Sequence, residues 1–162
     1  MFNSEQFCNY IIKPSLEKVN LYSAGAETLL LGTACAESRL GTYLHQVNGP
    51  ALGVFQMEPA THKDIWENYL NYRSELKSVV SGLVPRRGWG GNNIPNDSLL
   101  ITDLEYACVM ARLVYRRSPI ALPEACEWRT ASFVWKDVYN THLGAGTVGH
   151  FMESLRDCSV IT

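Results

Sequence analysis

Neither disulfide pairing nor metal binding, a leader segment or a membrane span is expected from the sequence of this chain of 162 residues. Cys8, Cys35, Cys108, Cys126 and Cys158 are odd in number and scattered through mostly apolar runs with no CxxC pair, so they read as buried free thiols. His45, His62, His142 and His150 have no HExxH-type spacing, which argues against a structural or catalytic zinc site. The N-terminus, Met-Phe-Asn-Ser-Glu-Gln-Phe-Cys, has neither a basic n-region nor an apolar h-region, so no signal peptide is expected. No apolar run approaches membrane-spanning length.

Excess positive charge is missing as well. A formal net charge of -2 offers no electrostatic basis for a nucleic-acid partner, and the pairs Arg86-Arg87 and Arg116-Arg117 are too short to reverse that; they read as solvated surface. Internal repeats and low-complexity tracts are also lacking, and no second hydrophobic core is apparent. With 46% hydrophobic and 19% charged residues, the chain is expected to form one compact domain over residues 1–162. Four Trp, eight Tyr and five Phe supply aromatic surface that either fills a core or lines a groove for flat ligands such as sugars.

What is present is mainly helical patterning. From Ser4 to Leu21, apolar residues recur at near-helical spacing, with Pro14 as a kink or break. Ser23 is a good N-cap for a strongly apolar helix through Leu29, Leu30, Leu31 and Cys35, with Gly41 as its stop. Gly49 to Pro59 reads as loop and brief extended structure. A helix is predicted to start after Thr61, where Thr61 and Asp64 approximate a capping box, and to continue toward Gly82.

Pro85 to Asp97 is a non-periodic insertion of the kind that is usually functional or mobile. Thr102 and Glu105 suggest another capping box, for a helix ending before Pro119. Pro123, Glu124 and Glu127 have the composition of a first helical turn, continued by Trp128, Ala131, Trp135 and Val138. Thr147 can cap a last helix toward Cys158. The predicted class is therefore mainly α, of about six to eight helices, with at most a small β element near residues 49–58.

The chemistry centres on Ala36-Glu37-Ser38-Arg39-Leu40-Gly41. A carboxyl in the closing turn of an apolar helix meets the negative end of the helix dipole and loses water to its neighbours, and both effects raise its pKa. A glutamic acid that stays protonated near neutral pH can protonate a glycosidic oxygen. The ordinary reading is a helix-end residue paired with Arg39 or with solvent.

Four blocks occur in order: Glu37-Ser38; Gly53-Val54-Phe55-Gln56-Met57-Glu58-Pro59-Ala60-Thr61; the stretch from Tyr106 to Tyr115; and Val138-Tyr139-Asn140 with Gly144 and Gly146. Together, over roughly Leu29 to Gly146, they resemble the catalytic core of SLT-type lytic transglycosylases and of goose-type lysozymes within the lysozyme-like superfamily. The third block lacks the Asn and Gly of the family pattern, and Thr141-His142-Leu143 intrudes before the glycines of the fourth.

The resemblance implies a lysozyme-like fold and a peptidoglycan-cleaving muramidase acting on the MurNAc–GlcNAc β-1,4 bond without metal or organic cofactor. It makes Glu37 the general acid, which in a transglycosylase then acts as base on the sugar's own 6-hydroxyl to release a 1,6-anhydro product. Ser38 would hydrogen-bond substrate near the cleaved bond, or bond back to the helix backbone. Gln56, between Phe55 and Met57, would line the groove with its amide. Tyr139 would orient the Glu37 carboxyl, and Asn140 would support the adjoining loop.

Glu58 departs from the transglycosylase pattern, where that place is usually apolar, and matches the acid that goose-type lysozymes carry there. It is a candidate second carboxylate for an inverting hydrolase, or an exposed residue before a turn. Trp89, among arginines, glycines and asparagines, is a candidate sugar-stacking residue or a surface tryptophan that tucks a loop onto the core. Asp64 reads as a cap. The expected partner is the peptidoglycan glycan strand. A bacteriophage lysin released by a holin, or a virion-associated muramidase carried in the particle, fits a compact domain without a leader; the rival is a cytoplasmic pool awaiting export to the periplasm or cell wall. A non-catalytic glycan-binding or structural virion protein is the other class.

Overall fold

A computed structural model describes residues 1–141 and 143–162; His142 lies outside the described residues. The chain is mainly helical, and among the described residues extended structure is limited to isolated bridges pairing His45 with Leu52, Leu52 with Met57 and Trp89 with Pro95. Among the described residues no helix is long and apolar enough to cross a membrane.

Helix α1 (Ser4–Phe7), a π-helical stretch (Cys8–Ile12) and α2 (Lys13–Lys18) run on without a break. Pro14 has no N–H to offer the carbonyl four residues back, and the ladder widens just before it: the Lys13 N–H reaches the Cys8 carbonyl. The expected break at Pro14 is thus a widened turn inside a continuous helix.

Helix α3 (Ala24–Ser38) starts as predicted, with the Ser23 hydroxyl accepting the Ala26 N–H at 3.0 Å. Nearly every residue from Gly25 to Ser38 is buried, because α7, α8 and α9 and the first π-helical stretch all pack around it. Its stop comes earlier than Gly41: Arg39 and Leu40 both take left-handed backbone, with φ of 49° and 50°.

Helix α4 (Pro59–Asn68) begins two residues before Thr61, with Pro59 in the first turn where its missing N–H costs nothing. Asp64 is consequently not a cap; it accepts from Asn68 and Arg117. The predicted run to Gly82 divides at Tyr69, where a 3-10 turn (Leu70–Tyr72) leads into α5 (Ser74–Ser81). The one-turn helix α6 (Leu99–Thr102) precedes α7 (Leu104–Arg116), whose cap is Asp103, one residue beyond the predicted Thr102.

Helix α8 (Trp128–Val134) starts later than Pro123 implied, because the Cys126 N–H is donated to the Thr28 hydroxyl of α3 instead of a helical ladder. It continues into a second π-helical stretch (Trp135–Asn140). Helix α9 (Val148–Asp157) is capped by Thr147 as predicted. Four of the cysteines are buried, but Cys126 is exposed.

The buried apolar residues form two clusters rather than the single core expected. One surrounds α3; the other gathers Ile65, Trp66, Leu70, Val80 and Leu100. Helix α7 serves both, giving Ala107, Cys108, Ala111 and Tyr115 to the first and Tyr106, Val109, Met110 and Leu113 to the second.

In the second cluster the Tyr106 hydroxyl donates to His62 Nε2 (2.6 Å) and accepts the Trp66 indole N–H (2.9 Å), while His62 Nδ1–H donates to Asp97 (2.7 Å). This is the neutral tautomer that satisfies every partner, and burial pushes the His62 pKa down in the same direction. The network anchors the Pro85 to Asp97 insertion at its end. Tyr106→Phe removes one hydroxyl and leaves two buried nitrogens without partners, so it should lower stability in urea titration by about 3 kcal/mol; a loss under about 0.5 kcal/mol would show that the network is not what holds this cluster.

Candidate active site

The end of α3 and the Gly53–Met57 segment are joined by one side chain. Ser38 is fully buried; its hydroxyl donates to the Val54 carbonyl (2.6 Å) and accepts the Gly41 N–H (2.8 Å). That engagement leaves it no surface for substrate, so the predicted contact is replaced by the helix-end alternative. Gly53 holds the same segment: its φ is +77°, and a Cβ there would sit 1.8 Å from the Leu100 carbonyl oxygen. Gln56 follows with φ 45°, and its amide nitrogen donates to the Gly53 carbonyl at 2.8 Å.

An open cleft of about 560 Å³ lies over this junction. Glu37, Gln56, Glu58, Trp135, Tyr139 and Asn140 are among the residues that line it, together with His150 and the 143–146 segment. Four of the predicted site residues beyond Glu37 therefore face one space. Glu58 stands at the N-cap position of α4, exposed, with no capping hydrogen bond from its side chain. Asn140 accepts from the Lys136 ammonium (2.8 Å), which also binds the carbonyls of Thr141 and Gly144 and so ties down the adjoining loop.

Besides Ser38, two predicted residues lie outside the cleft. Phe55 is 1% exposed and packs toward Phe7 in the first cluster, so only its carbonyl bears on the site. Trp89 makes an edge contact with Trp66, at 5.6 Å between ring centres, and does not line the cleft; it tucks the insertion onto the second cluster. A third residue is in the cleft with a different job. The Tyr139 hydroxyl donates to the Phe55 carbonyl (2.8 Å), tying the π-helical stretch to the Gly53–Met57 segment, and does not hold the Glu37 carboxyl.

The group that does hold it is Trp135, whose indole N–H donates to Glu37 Oε1 at 2.8 Å. In the sequence Trp135 is one more aromatic on the helix that Trp128 and Ala131 begin. Its one available signal was its spacing from Tyr139, four residues on.

Burial pushes the Glu37 carboxyl up to about 7, and the Trp135 hydrogen bond acts in the opposite direction by favouring the charged form. Glu37 can therefore be an acid near neutrality, within reach of a ligand in the cleft. Among the described residues no three His, Cys, Asp or Glu side chains gather as metal ligands. No family model matches the chain, nor does any curated protein or any solved structure.

The raised carboxyl has a stability consequence with a definite sign. The folded state keeps the Glu37 proton up to about pH 7 whereas an ordinary glutamate loses it near 4.5, so between those values the folded protein binds more protons and its stability falls as pH rises. Glu37→Gln removes the ionisation while keeping an oxygen for the Trp135 N–H. It should raise stability by on the order of 2 kcal/mol at pH 8 and by little at pH 4. Denaturant melts of both proteins at the two pH values test this, and an equal difference at both would refute the buried-acid assignment.

Proposed function

We propose that the protein cleaves peptidoglycan glycan strands at the MurNAc–GlcNAc β-1,4 bond, with Glu37 as general acid. The observation that carries this reading is Glu37 itself: a carboxyl raised to about 7, held by Trp135 and facing a cleft whose lining mixes apolar residues with the amides of Gln46, Gln56 and Asn140 and the hydroxyls of Thr61 and Thr141. Such groups suit sugar hydroxyl and acetamido substituents, and the cleft volume is in the range of small-ligand sites. The ordered resemblance to lytic transglycosylases and goose-type lysozymes supports the same reaction class.

In the transglycosylase route the Glu37 proton passes to the glycosidic oxygen as the C1–O bond breaks. The resulting carboxylate takes the proton of the muramyl 6-hydroxyl while O6 bonds to C1, which regenerates the acid and closes the 1,6-anhydro ring. No water is consumed.

A second route has its own supporting observation, since Glu58 is exposed in the same cleft and carries no capping bond. As a base it would take a proton from water attacking C1 on the face opposite Glu37, giving hydrolysis with inversion.

Purified peptidoglycan digested by the protein, with muropeptides analysed by mass spectrometry, separates the outcomes: anhydro ends support transglycosylation, reducing ends support hydrolysis. Glu37→Gln should reduce turnover by about a thousandfold or more in either case. The wild-type rate should fall as pH rises through about 7, because the acid must carry its proton. Full activity in Glu37→Gln, or glycan binding without turnover by the wild type, would replace the reading with a non-catalytic one.

A further inference from the structure

The Trp135 hydrogen bond determines more than the orientation of Glu37. An indole nitrogen can donate a hydrogen bond and cannot accept one, whereas the oxygen of a protonated carboxyl that bears the hydrogen needs an acceptor. Oε1, which accepts the indole N–H at 2.8 Å, is therefore disfavoured as the protonated oxygen. Glu37 Oε2 has no hydrogen-bond partner among the described residues, and Glu37 is half-buried and lines the cleft, which makes Oε2 the oxygen on the cleft side.

The indole cannot easily follow the carboxyl to another arrangement. Trp135 is 1% exposed, its ring packs on Phe151 at 5.4 Å and on His150 at 6.3 Å, and a Cβ added to Gly146 would lie 2.4 Å from its Cη2. Phe151, His150 and the close approach of Gly146 together clamp the ring.

We infer that Trp135 is a positioning residue that assigns the Glu37 proton to Oε2, the oxygen presented to the cleft. Its part in catalysis rests on the proposed cleavage reading; the proton assignment does not. After proton transfer the same N–H faces a carboxylate, and a hydrogen bond to an ionised oxygen is stronger than one to a neutral oxygen. Trp135 therefore favours release of the proton while burial favours its retention, and the two together set the acid.

The test removes the N–H and keeps the ring. Trp135→Phe does this with some loss of volume, and benzothienylalanine placed at 135, with sulfur where the indole has N–H, does it at nearly constant shape. Glu37 would be titrated by carbon-13 NMR of its carboxyl, assigned by comparison with Glu37→Gln. In both variants the midpoint should rise by about one pH unit as the donor is lost. The alkaline limb of glycan cleavage should move with it, and kcat should drop by about tenfold or more with KM changed less than threefold.

An unchanged or lower midpoint in the folded benzothienylalanine protein overturns the inference, because a ring that only fills space would leave the titration where it was. If the midpoint rises but the wild type cleaves no glycan, the cleavage reading falls and the proton assignment stands.

Discussion

The hydroxyl of Ser38 is the join on which the cleft depends. It terminates α3 by accepting the Gly41 N–H, and in the same stroke it secures the Gly53–Met57 segment through the Val54 carbonyl. Tyr139 reaches the neighbouring Phe55 carbonyl from the other side. Three chain segments, one of them distant in sequence, are thus tied by two short polar contacts at a buried place, where an unmade hydrogen bond is costly. Glu37 precedes Ser38 and Gln56 follows Phe55, so the ties that close the core also carry both side chains to one cleft.

Widened helical turns contribute to the same end. In the π-helical stretch Trp135–Asn140 the longer turn brings residues four and five positions apart toward one face, and Trp135, Tyr139 and Asn140 all line the cleft. A regular α-helix would rotate Asn140 away from Trp135. The three side chains then act separately, with Trp135 holding the carboxyl, Tyr139 the facing segment, and Asn140 the Lys136 ammonium that gathers the loop.

The acid is kept at the expense of stability. Enclosing α3 on almost every side supplies the apolar contacts of the first cluster and also removes water from Glu37, so the packing that stabilises the fold raises the cost of ionising this one carboxyl. The indole N–H offsets part of that cost. The side of Glu37 that lines the cleft is not enclosed by the packing around α3.

Sequence alone determined the mainly helical class, the Ser23 and Thr147 caps and the place of Glu37 in the last turn of an apolar helix, since these rest on local periodicity and on side chains a few residues from the backbone they cap. It also put Gln56 and Glu58 in a loop beside Pro59. Helix limits were less legible near Thr102, where a rival cap one residue on took over, and near Pro123, where a partner in α3 decided the start; near Thr61, Pro59 opened the helix two residues early. Tertiary structure decided which of the marked side chains face the cleft. Ser38, Phe55 and Trp89 are the right types for a sugar site, but they are taken up by packing and by backbone partners that no local pattern reveals. The division into two clusters was hidden likewise, since only the folded chain shows both faces of α7 covered. Trp135 is the sharpest case: its bond to Glu37 spans 98 residues, and such a pairing exists only after α3 and α8 have packed together.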